Sequence, residues 1–146
     1  MALNGDNNML LNKLAMAGAV ASSLGATPVI AQVKIGLVTS STGPTALIGI
    51  PQKNTVALLP KKIGDLTIQY ISLDDGSDPT QTVTNFKKLI TEEKVDAIIG
   101  PSGSPNAMGV IQFAAESGTP MLAPVGTAAV VLPMTPQKKW VFKTTQ

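Results

Sequence analysis

The stretch over residues 96–127 constrains the fold more than any other part of this sequence. It begins with a short apolar run, continues through a loop of Gly, Ser and Pro, and then shows helical spacing until a glycine ends it. A second apolar run at residues 120–123 leads into another loop of small residues. Strand, loop, helix and strand in this order predict one βαβ unit of a parallel sheet. The loops at the carboxyl ends of such strands form ligand crevices, so Ser102, Ser104 and Thr127 are candidate ligand contacts.

The other segments repeat this alternation of strands and helices. Apolar runs predict three further strands, at residues 33–38, 66–73 and 140–143, and place the first strand of the βαβ unit at residues 95–99. Helical segments are predicted at residues 47–59, from Pro79 onward, and at residues 106–116. The alternation predicts an α/β fold, in which a parallel sheet carries helices on both faces. The strand at 33–38 is expected at the centre, and the strand at 66–73 near an edge with both faces covered.

The second helix has the clearest start signal. Asp78 is a preferred N-cap residue, and Pro79 suits the first helical position. The residues expected on its apolar side are Val83, Phe86, Leu89 and Ile90. Thr82 and Asn85 are expected to face water.

The start of the third helix is the sharpest chemical feature. Ser104 is interpreted there as a capping residue followed by proline, and Met108 is assigned to the apolar side. The Ser104 hydroxyl and the free N–H groups of the first turn would face the crevice, where the helix dipole favours an anion such as a carboxylate. Thr127 in the neighbouring loop could act in the same way. From spacing alone, an equally good interpretation is that Ser104 only caps its own helix.

Missing residue types exclude several classes of protein. The chain has no Cys and no His, which excludes thiol nucleophiles, Ser-His-Asp triads, zinc fingers and disulfides. All 11 basic residues are lysines and aromatic residues make up only 3%, so nucleic-acid binding is disfavoured. Dinucleotide and P-loop fingerprints are missing as well. We therefore expect no enzyme and no cofactor.

The acidic residues Asp74, Asp75 and Asp78 have two interpretations. Three carboxylates close in sequence could hold a hard cation such as Ca²⁺ or Mg²⁺. They also fit an acidic turn that caps the following helix, and this second interpretation is favoured, so no metal site is expected.

Residues 1–31 differ from the rest of the chain. Lys13 precedes a run of small apolar residues, and small residues precede a cleavage point after Ala31. This pattern predicts a secretory signal peptide over residues 1–31 and hence a periplasmic location. The alternative is a buried or membrane-spanning helix, for which the apolar core is short and rich in Ala and Gly.

Five segments together resemble a known family. They are VKIGLVTSSTGP, DDGSDP, KLITEEKVDAIIGPSGS, TPMLAPVGTA and WVFKTT, in this order over residues 33–145. The chain resembles the type I periplasmic solute-binding proteins of ABC transporters, in the leucine/isoleucine/valine-binding group. The resemblance implies that residues 32–146 are part of an amino-terminal ligand-binding lobe, with the second lobe missing.

The resemblance also implies the ligand contacts. A serine at the start of the third helix, a backbone carbonyl and a threonine hold the ligand's carboxylate and ammonium, and these positions match Ser104, Val125 and Thr127. The loop that begins at Ser41 walls the same cleft. Ile48 stands where an aromatic residue often packs on the ligand, so the implied ligand is a branched-chain amino acid or another small carboxylate or amide.

The implied function is the extracytoplasmic solute-binding component of an ABC importer, whose partners are a small-molecule ligand and a membrane permease. The alternative is the ligand-sensing domain of a receptor or of an amide-responsive regulator with the same fold. A cleft with one wall buries little of its ligand, so the chain alone is expected to bind weakly. Apolar surfaces are expected to be exposed and to favour association.

Overall fold

The computed structural model describes residues 32–145, and the predicted signal peptide over residues 1–31 lies outside this part. The strands are β1 (Gln32–Thr39), β2 (Lys62–Ile63), β3 (Leu66–Asp74), β4 (Ala97–Ile99), β5 (Met121–Ala123) and β6 (Val141–Lys143). The α-helices are α1 (Ala46–Thr55), α2 (Pro79–Thr91) and α3 (Ser104–Ser117). Short 3₁₀ helices cover Val56–Leu58, Ala128–Val130 and Lys138–Trp140.

The strands form one sheet in the order β2-β3-β1-β4-β5-β6. All neighbouring pairs are parallel except β2 and β3, which form an antiparallel hairpin. The α/β prediction is therefore confirmed, with β1 inside the sheet and β3 one place from the edge. Strand β2 was not predicted because two residues carry too little pattern. The hairpin turns at Gly64, whose φ of 58° is in the left-handed region that favours glycine.

The helices lie on both faces of the sheet, as predicted. The chain moves from β1 to β3 through α1, and then moves in the opposite direction to β4 and β5 through α2 and α3. Because such crossovers are right-handed, the change of direction puts α1 on one face and the other two helices on the opposite face. Residues of β1, β4, β5, α2 and α3 form the core beneath these two helices, including the fully buried Val38, Phe86, Leu89, Ile98, Val110, Ala114 and Met121.

The face that carries α1 is largely open in the described part of the chain. An apolar groove of about 390 Å³ runs across it, lined by residues that include Val33, Ile35, Ile68, Tyr70, Ile99 and Leu122. Leu66 at the start of β3 is 40% exposed. The prediction that this strand is covered on both faces is therefore wrong, since α1 and its 3₁₀ extension cover only part of the face.

Two assignments of helix faces were also wrong. Thr82 and Asn85 in α2 are buried, at 0% and 6% exposure, although polar residues were expected to face water. Thr82 lies one turn before Phe86 and therefore on the same side of the helix. In α3, Met108 is 43% exposed, while Ala107 and Val110 belong to the core.

Helix α1 lies close to the loop that follows β1. A side-chain carbon on Gly49 would come within 2.1 Å of the carbonyl oxygen of Ser40, so only glycine fits at this position. The predicted helix over residues 47–59 is divided into α1 and a 3₁₀ turn, with Pro51 inside α1. The close approach fixes the start of α1 next to the candidate site.

Candidate ligand-binding site

The candidate site lies where the strand order changes direction. Strand β1 pairs with β3 on one side and with β4 on the other. In open α/β sheets, ligands bind at this point, outside the carboxyl ends of the strands. The loops after β1, β4 and β5 lie side by side there and bring four predicted residues to one edge, namely Ser41, Ser104, Val125 and Thr127. Their role in binding stays a prediction.

Ser104 is the first residue of α3 and does not cap the helix. Gly103 is the N-cap, because its carbonyl oxygen accepts the first helical hydrogen bond, from the Ala107 N–H at 2.9 Å. No side-chain cap bond is made at this end. The interpretation of Ser104 as a cap was therefore one residue off, because the following proline occupies the second helical position. Ser104 is partly exposed, and its turn carries the N–H groups of Ser104 and Asn106, which have no acceptor within the helix.

The loop after β5 holds the other two predicted contacts in different environments. Val125 is 2% exposed, and its carbonyl oxygen accepts a hydrogen bond from Thr145 Oγ1 at 2.6 Å. Thr127 caps the 3₁₀ helix Ala128–Val130 by accepting from the Ala129 N–H at 3.2 Å. A carbonyl oxygen has two lone pairs, and a hydroxyl that accepts one bond can still donate its own proton. Both groups therefore keep capacity for a ligand.

Ser41 belongs to a loop that Asp74 organises. The Asp74 carboxylate accepts from the Ser41 N–H at 2.9 Å, from Thr42 Oγ1 at 2.9 Å and from the Gly76 N–H at 2.9 Å. Burial raises the pKa of Asp74, but the hydrogen bonds from Gly76, Thr42 and Ser41 outweigh burial and hold the pKa below its usual value. The Ser41 hydroxyl shares a 3.0 Å hydrogen bond with Thr39 Oγ1, so it is partly occupied.

Ile48 lies in the first turn of α1, after this same loop. Ile48 is 52% exposed and lines neither the apolar groove on the open face of the sheet nor a second apolar cavity. The second cavity, of about 230 Å³, lies between α1 and the sheet and is lined by residues that include Leu37, Gln52, Val56, Ile99 and Pro124. None of the predicted ligand contacts lines it.

Ser102 contacts other loops of the protein. It is 5% exposed, its oxygen accepts from the Ser40 N–H at 3.1 Å, and its hydroxyl donates to Gln52 Oε1 at 2.6 Å. It therefore ties the loop after β4 to the loop after β1 and to α1. The sequence offered Ser102 as a ligand contact, and the structure places it in the interior.

Asp75 is a buried carboxylate that sequence reasoning missed. It is 0% exposed and accepts hydrogen bonds from Ser40, Ser77, Thr82 and Asn106. One signal was present in the sequence, since Thr82 recurs at helical spacing with Phe86 and Leu89 and so had to point inward. A buried hydroxyl needs a partner, and the preceding acidic turn supplies it.

The acidic turn does cap α2, because Asp78 Oδ1 accepts from the Gln81 N–H at 2.7 Å. Within residues 32–145 no group of three acidic, His or Cys side chains is arranged to hold a metal ion. None of the helices in this same range is long and apolar enough to cross a membrane.

Comparisons with known proteins agree with this architecture. The family model described as periplasmic binding protein matches residues 32–146. The Leu/Ile/Val-binding protein BraC3 of Rhizobium johnstonii is 33% identical over 104 residues, covering 67% of this chain and 28% of that protein. The crystal structure of an extracellular ligand-binding receptor from Rhodopseudomonas palustris HaA2 is 46% identical, with a TM-score of 0.76, over 78% of this chain and 32% of that one.

A further solved relative shows what a member of this group can bind. It is a solute-binding protein of an ABC transporter from R. palustris in complex with 4-hydroxybenzoate, 27% identical with a TM-score of 0.67. The match covers 79% of this chain and 32% of that one. The chain thus spans about a third of the length of the relatives it matches. Because the family model matches residues 32–146, the chain belongs to the periplasmic binding protein family.

Proposed function

We propose that this chain provides one wall of the ligand cleft in an extracytoplasmic solute-binding protein, which delivers a small carboxylate to the membrane permease of an ABC importer. The observation that carries the proposal is the position of Ser104. It opens α3 at the point where the strand order reverses, and its hydroxyl is not used as a helix cap.

The chemistry of this position suits a carboxylate. The free N–H groups of a helix N-terminus and the helix dipole both favour an anion, and the Ser104 hydroxyl adds a donor. Thr127 offers a second hydroxyl from the neighbouring loop. The loops after β1, β4 and β5 contain no basic residue, so the carboxylate would be held by N–H and O–H donors without an ion pair. The Val125 carbonyl would accept from the ammonium of an amino acid.

The ligands of the relatives narrow the range of candidate ligands for this chain. One is named for leucine, isoleucine and valine and another was solved with 4-hydroxybenzoate, and all of these ligands carry a carboxylate. Ile48 offers an aliphatic side chain beside the first loop, which favours an aliphatic ligand over an aromatic one. We therefore propose a branched-chain amino acid as the first candidate.

The mechanism needs no chemical step on the ligand. The chain is proposed to act by holding the carboxylate while a second lobe closes over the ligand, as in hinge closure around ligands. Residues 32–146 would form part of the amino-terminal lobe, and residues 1–31 would direct export to the periplasm. A ligand-sensing domain of a receptor or regulator stays the alternative, because it would use the same wall.

Titration of the ¹⁵N-labelled chain with leucine, followed by NMR, tests the proposal. Because one wall buries little of the ligand, we expect a dissociation constant on the order of 1 mM. Ser104→Ala should weaken binding about tenfold, since a hydrogen bond to a charged group is lost. Ser117→Ala, at the other end of α3, is the control and should bind like the parent chain. Equal affinity of Ser104→Ala and the parent would overturn the proposal.

A further inference from the structure

A continuous set of buried and partly buried hydrogen bonds links the loops after β1, β3 and β4 to helix α1. Ser40 Oγ donates to Asp75 Oδ1 at 2.7 Å, and the Ser40 N–H donates to Ser102 Oγ at 3.1 Å. Ser102 Oγ in turn donates to Gln52 Oε1 in α1 at 2.6 Å. Asp75, Ser40 and Ser102 are each 5% exposed or less. The loops after β3, β1 and β4 therefore share one polar interior.

The same carboxylate also reaches the first turn of α3. Asn106 Nδ2 donates to Asp75 Oδ2 at 3.1 Å and to Thr82 Oγ1 at 2.7 Å. Thr82 Oγ1 lies 2.9 Å from Asp75 Oδ2 and 2.8 Å from the carbonyl oxygen of Asp78, and its one proton is shared between these two acceptors. Asn106 is 4% exposed and stands two residues after Ser104, in the same helical turn. The Asp75 carboxylate is therefore hydrogen-bonded to the first turn of α3.

Each oxygen of the Asp75 carboxylate faces one nitrogen donor, the Ser77 N–H at Oδ1 and the Asn106 amide at Oδ2. Its Oδ1 accepts from Ser40 Oγ and from the Ser77 N–H, at 2.7 and 2.9 Å, while Oδ2 accepts from Thr82 and Asn106. An ionised carboxylate accepts at both oxygens, whereas an amide turns one of them into a donor. An amide at this position would set its NH₂ group against the NH₂ group of Asn106.

We propose that Asp75 is a positioning residue for the ligand site: it acts through Asn106 to hold Ser104 and the N–H groups of α3 in the geometry that binds a carboxylate. This inference rests on the proposed function. Asp75 does not touch the ligand, because it is fully buried. Its effect is to hold the first turn of α3 in a fixed position relative to the loop after β1. This lowers the entropy cost of ordering the Ser104 hydroxyl and the N–H donors when the ligand binds.

The test exchanges the two partners. Asp75→Asn alone sets two amides against each other, and Asn106→Asp alone sets two carboxylates against each other. The double variant Asp75→Asn/Asn106→Asp restores one donor and one acceptor with reversed polarity. We expect each single variant to bind leucine about tenfold more weakly than the parent after correction for the folded fraction, and the double variant to recover most of that loss.

A control separates positioning from stability. Val110→Ala removes packing beneath α3 without touching the polar set, since Val110 is 0% exposed in the apolar core. It should lower the urea midpoint and leave leucine affinity unchanged after the same correction. Leucine affinity in Asp75→Asn equal to that of the parent, or failure of the double variant to recover, would overturn the inference.

Hydrogen exchange distinguishes this inference from the proposed function. The Ala107 N–H, bonded to Gly103 at 2.9 Å, reports on the first turn of α3 without any ligand. Its exchange should accelerate in both single variants and slow again in the double variant. If leucine binds neither the parent nor the variants while the exchange rates follow this pattern, leucine is the wrong ligand, and the role of Asp75 in ordering the first turn of α3 is supported. Unchanged exchange in the single variants would overturn the positioning role.

Discussion

The two faces of the sheet carry similar apolar residues, but one face is buried beneath helices and the other is largely open. Ile98 and Ile99 are neighbours in β4, yet Ile98 is 0% exposed beneath α2 and α3, whereas Ile99 lines the open groove and the cavity below α1. The difference comes from topology, because within residues 32–145 α2 and α3 pack on one face and the shorter α1 packs on the other. The apolar composition of a strand therefore does not determine which of its sides is buried. The positions of the helices that pack on the sheet determine it.

The largest expected effect compares these two isoleucines. Ile98→Ala should lower the free energy of unfolding by about 2–5 kcal/mol, since it leaves a cavity in the core. Ile99→Ala should cost about 1 kcal/mol, because its side chain already borders open space. Urea unfolding of both variants measures the difference. Equal losses would mean that the open face is covered in solution.

The next effect compares a glycine on each side of the sheet. Gly49→Ala in α1 would press a methyl group against the Ser40 carbonyl and should destabilise the chain by about 1–3 kcal/mol. Gly109→Ala in α3 meets no atom within 4 Å and should stabilise by about 0.5–1 kcal/mol through helix propensity. Thermal unfolding followed by circular dichroism measures both. A stabilising Gly49→Ala would contradict the close approach of α1 to the first loop.

Asp74 should make the stability of the loop edge depend on pH. Its folded pKa is lowered, so its contribution is complete above the unfolded pKa of about 4 and is lost as pH falls through the folded pKa. Asp74→Asn should therefore be less stable than the parent at pH 7, and the gap should narrow below about pH 4. Urea midpoints measured across this range test the sign. A gap that widens in acid would contradict the assignment.

The smallest expected effect on stability concerns the open groove itself. Leu66→Lys on β3, where the side chain is 40% exposed, should change the free energy of unfolding by about 0.5 kcal/mol or less. It should nevertheless reduce self-association, because exposed apolar patches drive association. Sedimentation velocity of parent and variant at several concentrations measures this. Unchanged association would show that the groove is not the contact surface.

The sequence predicted the parts of the fold that depend on local pattern. The alternation of strands and helices, the cap at Asp78 and the interior place of β1 follow from periodicity and from start signals. The parts that failed depend on contacts between distant segments. Thr82 contacts Asn106, 24 positions later in the chain, and the open face of β3 depends on which helices pack there.

The candidate site likewise has a part that the sequence predicted and a part that it did not. Neighbouring parallel strands bring their following loops to one edge, so Ser104 and Thr127 could be placed there from the sequence. Ser102 turned inward because it bonds to Ser40, 62 positions earlier in the chain. A separation of this size leaves no signal in a single sequence, whereas the burial of Asp75 left one, the helical spacing of Thr82 with Phe86 and Leu89.

The most direct test of the central claim is to locate the ligand's carboxylate on the protein. Amide chemical shifts of the ¹⁵N-labelled chain would be recorded with leucine and with leucinol, which replaces the carboxylate by an alcohol. If the carboxylate binds at the start of α3, the amides of Ser104, Asn106 and Thr127 will shift with leucine and stay nearly unchanged with leucinol. Shifts confined to groove residues such as Ile68 and Leu122, or equal shifts with both compounds, would contradict it.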